Sequence, residues 1–141
     1  MKVLLDTNIV LDVLLDRKPY SRDSAEVFRL IEQGEAEGML CATTITTLDY
    51  LLSQNMSRSE ARSVLSQLLK LFEVASVNRA VIEEALNSRM DDFEDAVLDH
   101  AAQNSGADMI VTRNIKDFTR CESKFMDPKQ FLVLINKEAE E

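Results

Sequence analysis

Short apolar runs alternate with longer amphipathic stretches along this chain. Residues 3–5 and 39–42 are apolar without alternation, which is typical of strands buried on both faces of a sheet. Similar short runs recur at 73–77 and 109–112. Between them, apolar residues recur every three or four positions, the spacing of one helix face. This alternation predicts an α/β fold whose parallel sheet is covered by helices on both faces.

The clearest predicted helix spans residues 57–72. Ser57 and Glu60 have the spacing of a capping box at its start, and its apolar residues form one stripe. Thr46 is a candidate cap for the helix at 43–55. Other helices are predicted at 9–15, 21–35, 78–88, 91–104 and 127–134. The predicted organisation is one domain over residues 1–136 and an acidic C-terminal tail over 137–141.

Composition narrows the classes of protein that the chain can belong to. Of the 141 residues, 16 are Lys or Arg and 25 are Asp or Glu, so the net charge is -9. This charge argues against holding polyanions by general electrostatics. Cys41 and Cys121 are isolated, which makes a disulfide framework or a thiolate zinc site unexpected. No apolar run approaches the roughly 20 residues of a membrane span, so a cytoplasmic protein is expected.

Carboxylates occur at or near the ends of predicted elements in four places. Asp6 follows the first strand, Asp49 lies on the second long helix, acids cluster at 91–99, and Asp117 follows the fourth strand. The carboxyl ends of parallel strands share the sheet edge where α/β proteins bind ligands. Acids that meet there raise one another's pKa unless a cation compensates them. Oxygen ligands favour Mg²⁺ or Mn²⁺ over zinc, so the sequence indicates a site for one of these cations.

Helix capping explains the same acids in another way. Asp is a common N-cap residue, so Asp6 can serve the following helix alone. If Asp6 instead binds a metal, Thr7 or Asn8 is available as the cap. The acids at 91–95 can likewise be explained by the helix dipole.

The predicted helix at 91–104 places its acids on one side. Asp92, Asp95 and Asp99 fall on one face at helical spacing. His100 is predicted to be structural or exposed, because a catalytic or metal-binding His needs partners that this helix does not supply.

Four motifs resemble those of PIN domains, and within them those of VapC-like toxin nucleases. They are LDTN at 5–8, TITTLD at 44–49, DFEDA at 92–96 and VTRNIKDF at 111–118. The resemblance runs from Lys2 to about Phe131. It implies a three-layer fold with about five parallel strands, the last of them short and near residues 124–126.

The resemblance also implies a site. Its first acid falls on Asp6 and its third on Asp95, while its second acid, usually Glu, is Asp49 here. These three are the implied catalytic residues. Asn114 stands where the last acid is typical, and Asp117 can take over its role. The implied metal ligands are Asp6, Asp49, Asp92, Asp95, Asn114 and Asp117. The residues expected to orient ligands or contact the substrate backbone are Thr7, Asn8, Thr112, Arg113, Arg17 and Arg22.

By this resemblance the expected function is RNA hydrolysis by a water activated by Mg²⁺ or Mn²⁺. A homodimer and a cognate antitoxin are expected partners, with RNA as the substrate. Two alternatives stay open. One is an inactive family member that serves as an RNA- or protein-binding module. The other is a phosphatase with Asp6 as nucleophile, ranked low because Asn8 stands where such sites have a second Asp.

Overall fold

A five-stranded parallel sheet forms the centre of the computed structural model, which describes residues 1–140. The strands are β1 (Lys2–Leu5), β2 (Glu37–Cys41), β3 (Glu73–Ala75), β4 (Met109–Val111) and β5 (Phe125–Met126). Their order across the sheet is β3-β2-β1-β4-β5. The predicted sheet of about five strands, including the short one near residues 124–126, is confirmed.

Seven α-helices connect or follow the strands. They are α1 (Thr7–Leu14), α2 (Ser21–Glu32), α3 (Ala42–Leu52), α4 (Arg58–Leu71), α5 (Arg79–Leu86), α6 (Phe93–Asn104) and α7 (Pro128–Glu140). Helix α7 continues through Glu140, so residues 137–140 of the predicted tail are helical, and Glu141 lies outside the described residues. Within residues 1–140, no helix is both long and apolar enough to cross a membrane.

The two faces of the sheet carry separate apolar clusters, which makes the fold three-layered. Val3 and Leu5 of β1 pack with residues of α1, α2, α3, α4 and α7. Leu4, which points to the opposite face, packs with residues of α5 and α6. All three side chains are fully buried. The unalternating apolar pattern of β1 therefore reflects a strand that is covered on both sides.

The cap predicted for α4 is confirmed, whereas the cap predicted for α3 is wrong. Ser57 and Glu60 form the predicted capping box at the start of α4. Thr46 is not a cap, because α3 begins earlier, after Cys41, and the Thr46 hydroxyl donates to the carbonyl of Thr43 at 2.9 Å inside the helix.

Strand β1 lies where the topology changes direction. β2 pairs with one side of β1 and β4 with the other, and the backbone N–H of Asp6 donates to the carbonyl of Val111 at 2.9 Å. Ligands of open α/β sheets bind in the crevice beyond the carboxyl ends of such strands. The residues that follow β1 and β4 are thus placed at the edge where a site is expected.

Candidate metal site

Asp6 is the N-cap of α1 and is held from two sides. Its Oδ1 accepts the backbone N–H of Thr7 at 2.8 Å, and its Oδ2 accepts the hydroxyl of Thr112 at 2.8 Å. The prediction that Thr7 or Asn8 caps α1 is therefore wrong, because Asp6 caps the helix itself. Burial raises the pKa of Asp6, while the hydrogen bonds from Thr112 and Thr7 oppose that rise.

Three acids stand at the start of α6. Asp92 is the N-cap, and its Oδ1 accepts the backbone N–H of Asp95 at 2.9 Å. Glu94 and Asp95 lie in the first turn, near the positive end of the helix dipole. Capping and the dipole place these acids, but neither explains why three carboxylates point toward the same cavity.

Two further residues of α6, Asp99 and His100, serve the structure elsewhere. Asp99 is fully buried, and its carboxylate accepts the backbone N–H groups of Glu122 and Ser123, each at 2.9 Å. His100 is buried beside Glu84, with 3.4 Å between Nδ1 and Oε2. Neither residue lines the cavity that contains Asp95.

The segment after β4 supplies two more oxygen-bearing side chains. The Thr112 hydroxyl accepts the backbone N–H of Asn114 at 3.0 Å while donating to Asp6. A 3₁₀ turn, Ile115–Phe118, follows, and its Phe118 is fully buried. This anchor fixes Asn114 and Asp117 at the sheet edge.

Side chains from these three segments line one cavity of about 280 Å³. Thr47 and Leu51 of α3 and Leu11 of α1 complete its wall. The predicted site residues that the structure brings together there are Asp6, Thr7, Asn8, Asp92, Asp95, Asn114 and Asp117. Thr112 lies behind Asp6 and orients it.

The carboxylates of this cavity disfavour one another's ionisation. The pKa of Asp95 is raised from 3.8 to about 7, first by burial and then by the neighbouring charges of Asp6, Asp92, Asp117 and Glu94. A cation in the cavity would remove the cause of this repulsion.

The donor set fits a hard divalent cation that keeps part of its water shell. All the polar side chains that line the cavity offer oxygen, the ligand atom preferred by Mg²⁺ and Mn²⁺. Within residues 1–140, no three acidic, His or Cys side chains are grouped closely enough to enclose an ion directly. Mg²⁺ typically binds proteins through one or two carboxylates and several waters, which suits this spacing.

Asp49 is the predicted ligand that the structure does not place at the cavity. Thr47 and Leu51 line it, and at about 100° per residue Asp49 points about 200° away from Thr47 around the axis of α3. On this side of the cavity the acid is Glu94, which accepts the hydroxyl of Thr47 at 3.2 Å. Glu94 belongs to the acid cluster at 91–99 but is not among the predicted ligands; the density of acids at 91–95 is the signal that could identify it.

The three arginines predicted to contact substrate do not line the acidic cavity. Arg113 forms two hydrogen bonds with the fully buried Asp12, at 2.9 and 3.2 Å, and its guanidinium lies 4.1 Å from the ring centroid of Tyr20. Arg17 lies 3.0 Å from the same carboxylate. Arg22 borders a different cavity, together with residues 16, 18, 19, 21 and 25. Asp12, to which no motif assigned a role, therefore forms ion pairs with two of these three arginines.

The fold and the convergent acids define an α/β protein with a candidate metal site at the edge of its parallel sheet. Comparison with known families identifies the family. The model of the PIN domain family matches residues 2–116, so the chain belongs to the PIN domain family, as the sequence motifs predicted.

Individual relatives agree with this assignment. The chain is 22% identical over 135 residues to Ribonuclease VapC1 of Aquifex aeolicus, with 92% of each chain covered. The fold is similar to that of VapBC2 from Rickettsia felis bound to a promoter DNA fragment, with a TM-score of 0.69, 18% identity, and 90% of this chain and 98% of the other covered. A toxin-antitoxin complex from Klebsiella pneumoniae gives a TM-score of 0.68 and 21% identity, covering 89% and 97%.

Proposed function

We propose that this protein is a metal-dependent ribonuclease of the VapC type, which hydrolyses RNA phosphodiesters with a metal-activated water. One observation carries the proposal: carboxylates from three separate segments converge at the sheet edge, where burial and then their charges raise the pKa of Asp95 to about 7. Family membership and the relative named Ribonuclease VapC1 support RNA as the substrate.

In this proposal Asp6 and Asp95 would hold Mg²⁺ or Mn²⁺. Asp92, Glu94, Asn114 and Asp117 line the same cavity and would bind the waters of the cation. A cation held there would lower the pKa of the attacking water and offset the phosphate charge. The hydroxyl of Thr112 keeps the Asp6 carboxylate oriented, as outer-shell partners of metal ligands commonly do.

We further propose an antitoxin partner, a homodimer and a cytoplasmic location. The structure of similar fold from Klebsiella pneumoniae is a toxin-antitoxin complex, which supports the partner. The net charge of -9 makes a restricted RNA substrate more plausible than bulk degradation, because nonspecific affinity for a polyanion is weak. Co-purification with the product of a neighbouring small gene tests the antitoxin, and sedimentation at several protein concentrations tests the dimer.

The test of the enzymatic proposal is RNA cleavage by purified protein with and without Mn²⁺, using total cellular RNA. Asp6→Asn and Asp95→Asn should each reduce the Mn²⁺-dependent rate by at least about 100-fold. Asn is a good N-cap residue, so Asp6→Asn is expected to fold. Asp23→Asn, in the first turn of α2, is the matched control and should cleave like the wild type. Undiminished cleavage by either site variant would exclude the assignment.

A second candidate is a family member that binds RNA or protein without cleaving it. The position of Asp49 away from the cavity and the neutral Asn114 at the last ligand position favour this candidate. Calorimetry with Mn²⁺ separates the two. A nuclease should show binding heat that is lost in Asp6→Asn, whereas a module that has lost its metal site should show no heat that depends on Asp6.

A further inference from the structure

The acidic cavity lacks the cations that an RNA backbone needs. Arg17 and Arg113, two of the arginines expected to contact the substrate backbone, are both engaged by the buried Asp12. Phosphates beside the scissile bond therefore require other positive charges if RNA is to bind a chain of net charge -9.

A second, polar cavity adjoins the acidic one and contains such charges. Its volume is about 230 Å³, and it shares Asp92 and Asp117 with the acidic cavity. Lys116 and Arg120 line it, and both are exposed. Within residues 1–140 neither forms an ion pair, in contrast to Arg17 and Arg113.

The segment that carries these two cations is held firmly. Phe118 lies between them in sequence and is fully buried, with its ring centroid 6.4 Å from that of Phe125. The Thr119 hydroxyl donates to the carbonyl of Lys116 at 3.2 Å, and the backbone N–H of Cys121 donates to the carbonyl of Phe118 at 3.1 Å. The same turn bears Asp117, so the cations keep a fixed relation to the proposed metal site.

We propose that Lys116 and Arg120 form a phosphate subsite that binds the RNA backbone next to the scissile bond. This inference rests on the proposed ribonuclease function. It also makes phosphate binding dependent on a divalent cation. Three acids, Asp91, Asp92 and Asp117, line the subsite with the two cations, so it favours a phosphate only when a divalent cation in the adjoining site compensates Asp92 and Asp117.

The test measures RNA binding directly. A short fluorescein-labelled single-stranded RNA of randomised sequence is titrated with protein in Ca²⁺ or in EDTA, and its integrity is checked on a denaturing gel. In Ca²⁺ the double variant K116Q/R120Q should bind about 5-fold more weakly, the loss expected for two exposed charge contacts. Its plot of log affinity against log salt should be less steep by about 1.4, because each phosphate contact on a single strand contributes about 0.7.

Matched variants distinguish a loss of affinity caused by the subsite from one caused by the change in net charge. R62Q/K70Q on the exposed side of α4 removes the same two charges and should bind like the wild type. K116R/R120K keeps the charges and should retain most of the affinity. In cleavage assays K116Q/R120Q should raise KM with little change in kcat, since the contacts are made equally in the ground state and the transition state.

Three results would overturn the inference. One is equal affinity of K116Q/R120Q and R62Q/K70Q in Ca²⁺, another is a loss in EDTA as large as that in Ca²⁺, and the third is a loss in K116R/R120K as large as that in K116Q/R120Q. These failures are distinct from failure of the ribonuclease function. That function fails if the wild type binds RNA but shows no cleavage that depends on Mn²⁺ and Asp6.

Discussion

Replacing Asp95 by Asn should stabilise the metal-free protein while removing its activity. In the folded chain the pKa of Asp95 is about 7, against an ordinary value of 3.8. A carboxyl whose folded pKa is raised contributes stability that is present below pH 3.8 and is lost as the pH rises through about 7. Above that pH the charged Asp95 of the wild type bears the cost of burial and the repulsion of its neighbours, both of which a neutral Asn avoids.

The expected gain follows from the same numbers. A rise from 3.8 to about 7 corresponds to an upper bound of about 4 kcal/mol, at about 1.4 kcal/mol per pKa unit. Asp95 is only partly buried, so solvent screening reduces this to about 1.5 kcal/mol. Losing the favourable charge in the first turn of α6 costs about 0.5 kcal/mol. The net gain of about 1 kcal/mol corresponds to a Tm increase of about 3 °C.

Differential scanning calorimetry in EDTA measures this gain at about pH 8 and about pH 4. Asp95→Asn should melt about 3 °C above the wild type at the higher pH, and the advantage should disappear at the lower pH, where Asp95 is protonated. Asp23→Asn, also in a first helical turn but outside the cavity, should show a small loss at pH 8. A lower Tm for Asp95→Asn at pH 8, or an equal gain at both pH values, would refute the argument.

Three further substitutions test the packing and the orientation of the site. Thr112→Val removes the hydroxyl that holds Asp6, so kcat for RNA cleavage and the calorimetric affinity for Mn²⁺ should each fall at least about 10-fold; unchanged values would contradict that role. Asp12→Ala leaves two arginines without their partner and should cost about 3 kcal/mol in urea unfolding; a cost near zero would contradict it. Gly38→Ala would place a Cβ 2.6 Å from the Phe72 ring and should cost about 2 kcal/mol in the same assay, whereas wild-type stability would show that the ring yields freely.

The fold was largely predictable because local patterns determine it. The apolar run of β1 can be buried only from both sides, and the Ser57 and Glu60 spacing defines the start of α4. The short β5 is different: with two residues it has almost no pattern of its own, and it was predicted through family resemblance alone.

The site was only partly predictable because it depends on rotations and long-range pairs. Whether Asp49 or Thr47 faces the cavity depends on the rotation of α3 about its axis, which follows from packing rather than from the motif. The pairing of Asp12 with Arg113 spans 101 positions, and Asp12 interrupts the apolar run at 9–14 of α1. No local signal in either segment reports such a contact.

We infer that the acids lining the cavity carry the chemistry and that the motif residue Asp49, which does not line it, does not. Single-turnover cleavage of RNA in Mn²⁺ by the wild type, Asp95→Asn and Asp49→Asn, compared side by side, tests it most directly. Asp95→Asn should lose at least about 100-fold in rate, while Asp49→Asn should stay within about threefold of the wild type. An equal loss in both variants, or full activity in Asp95→Asn, would contradict the claim.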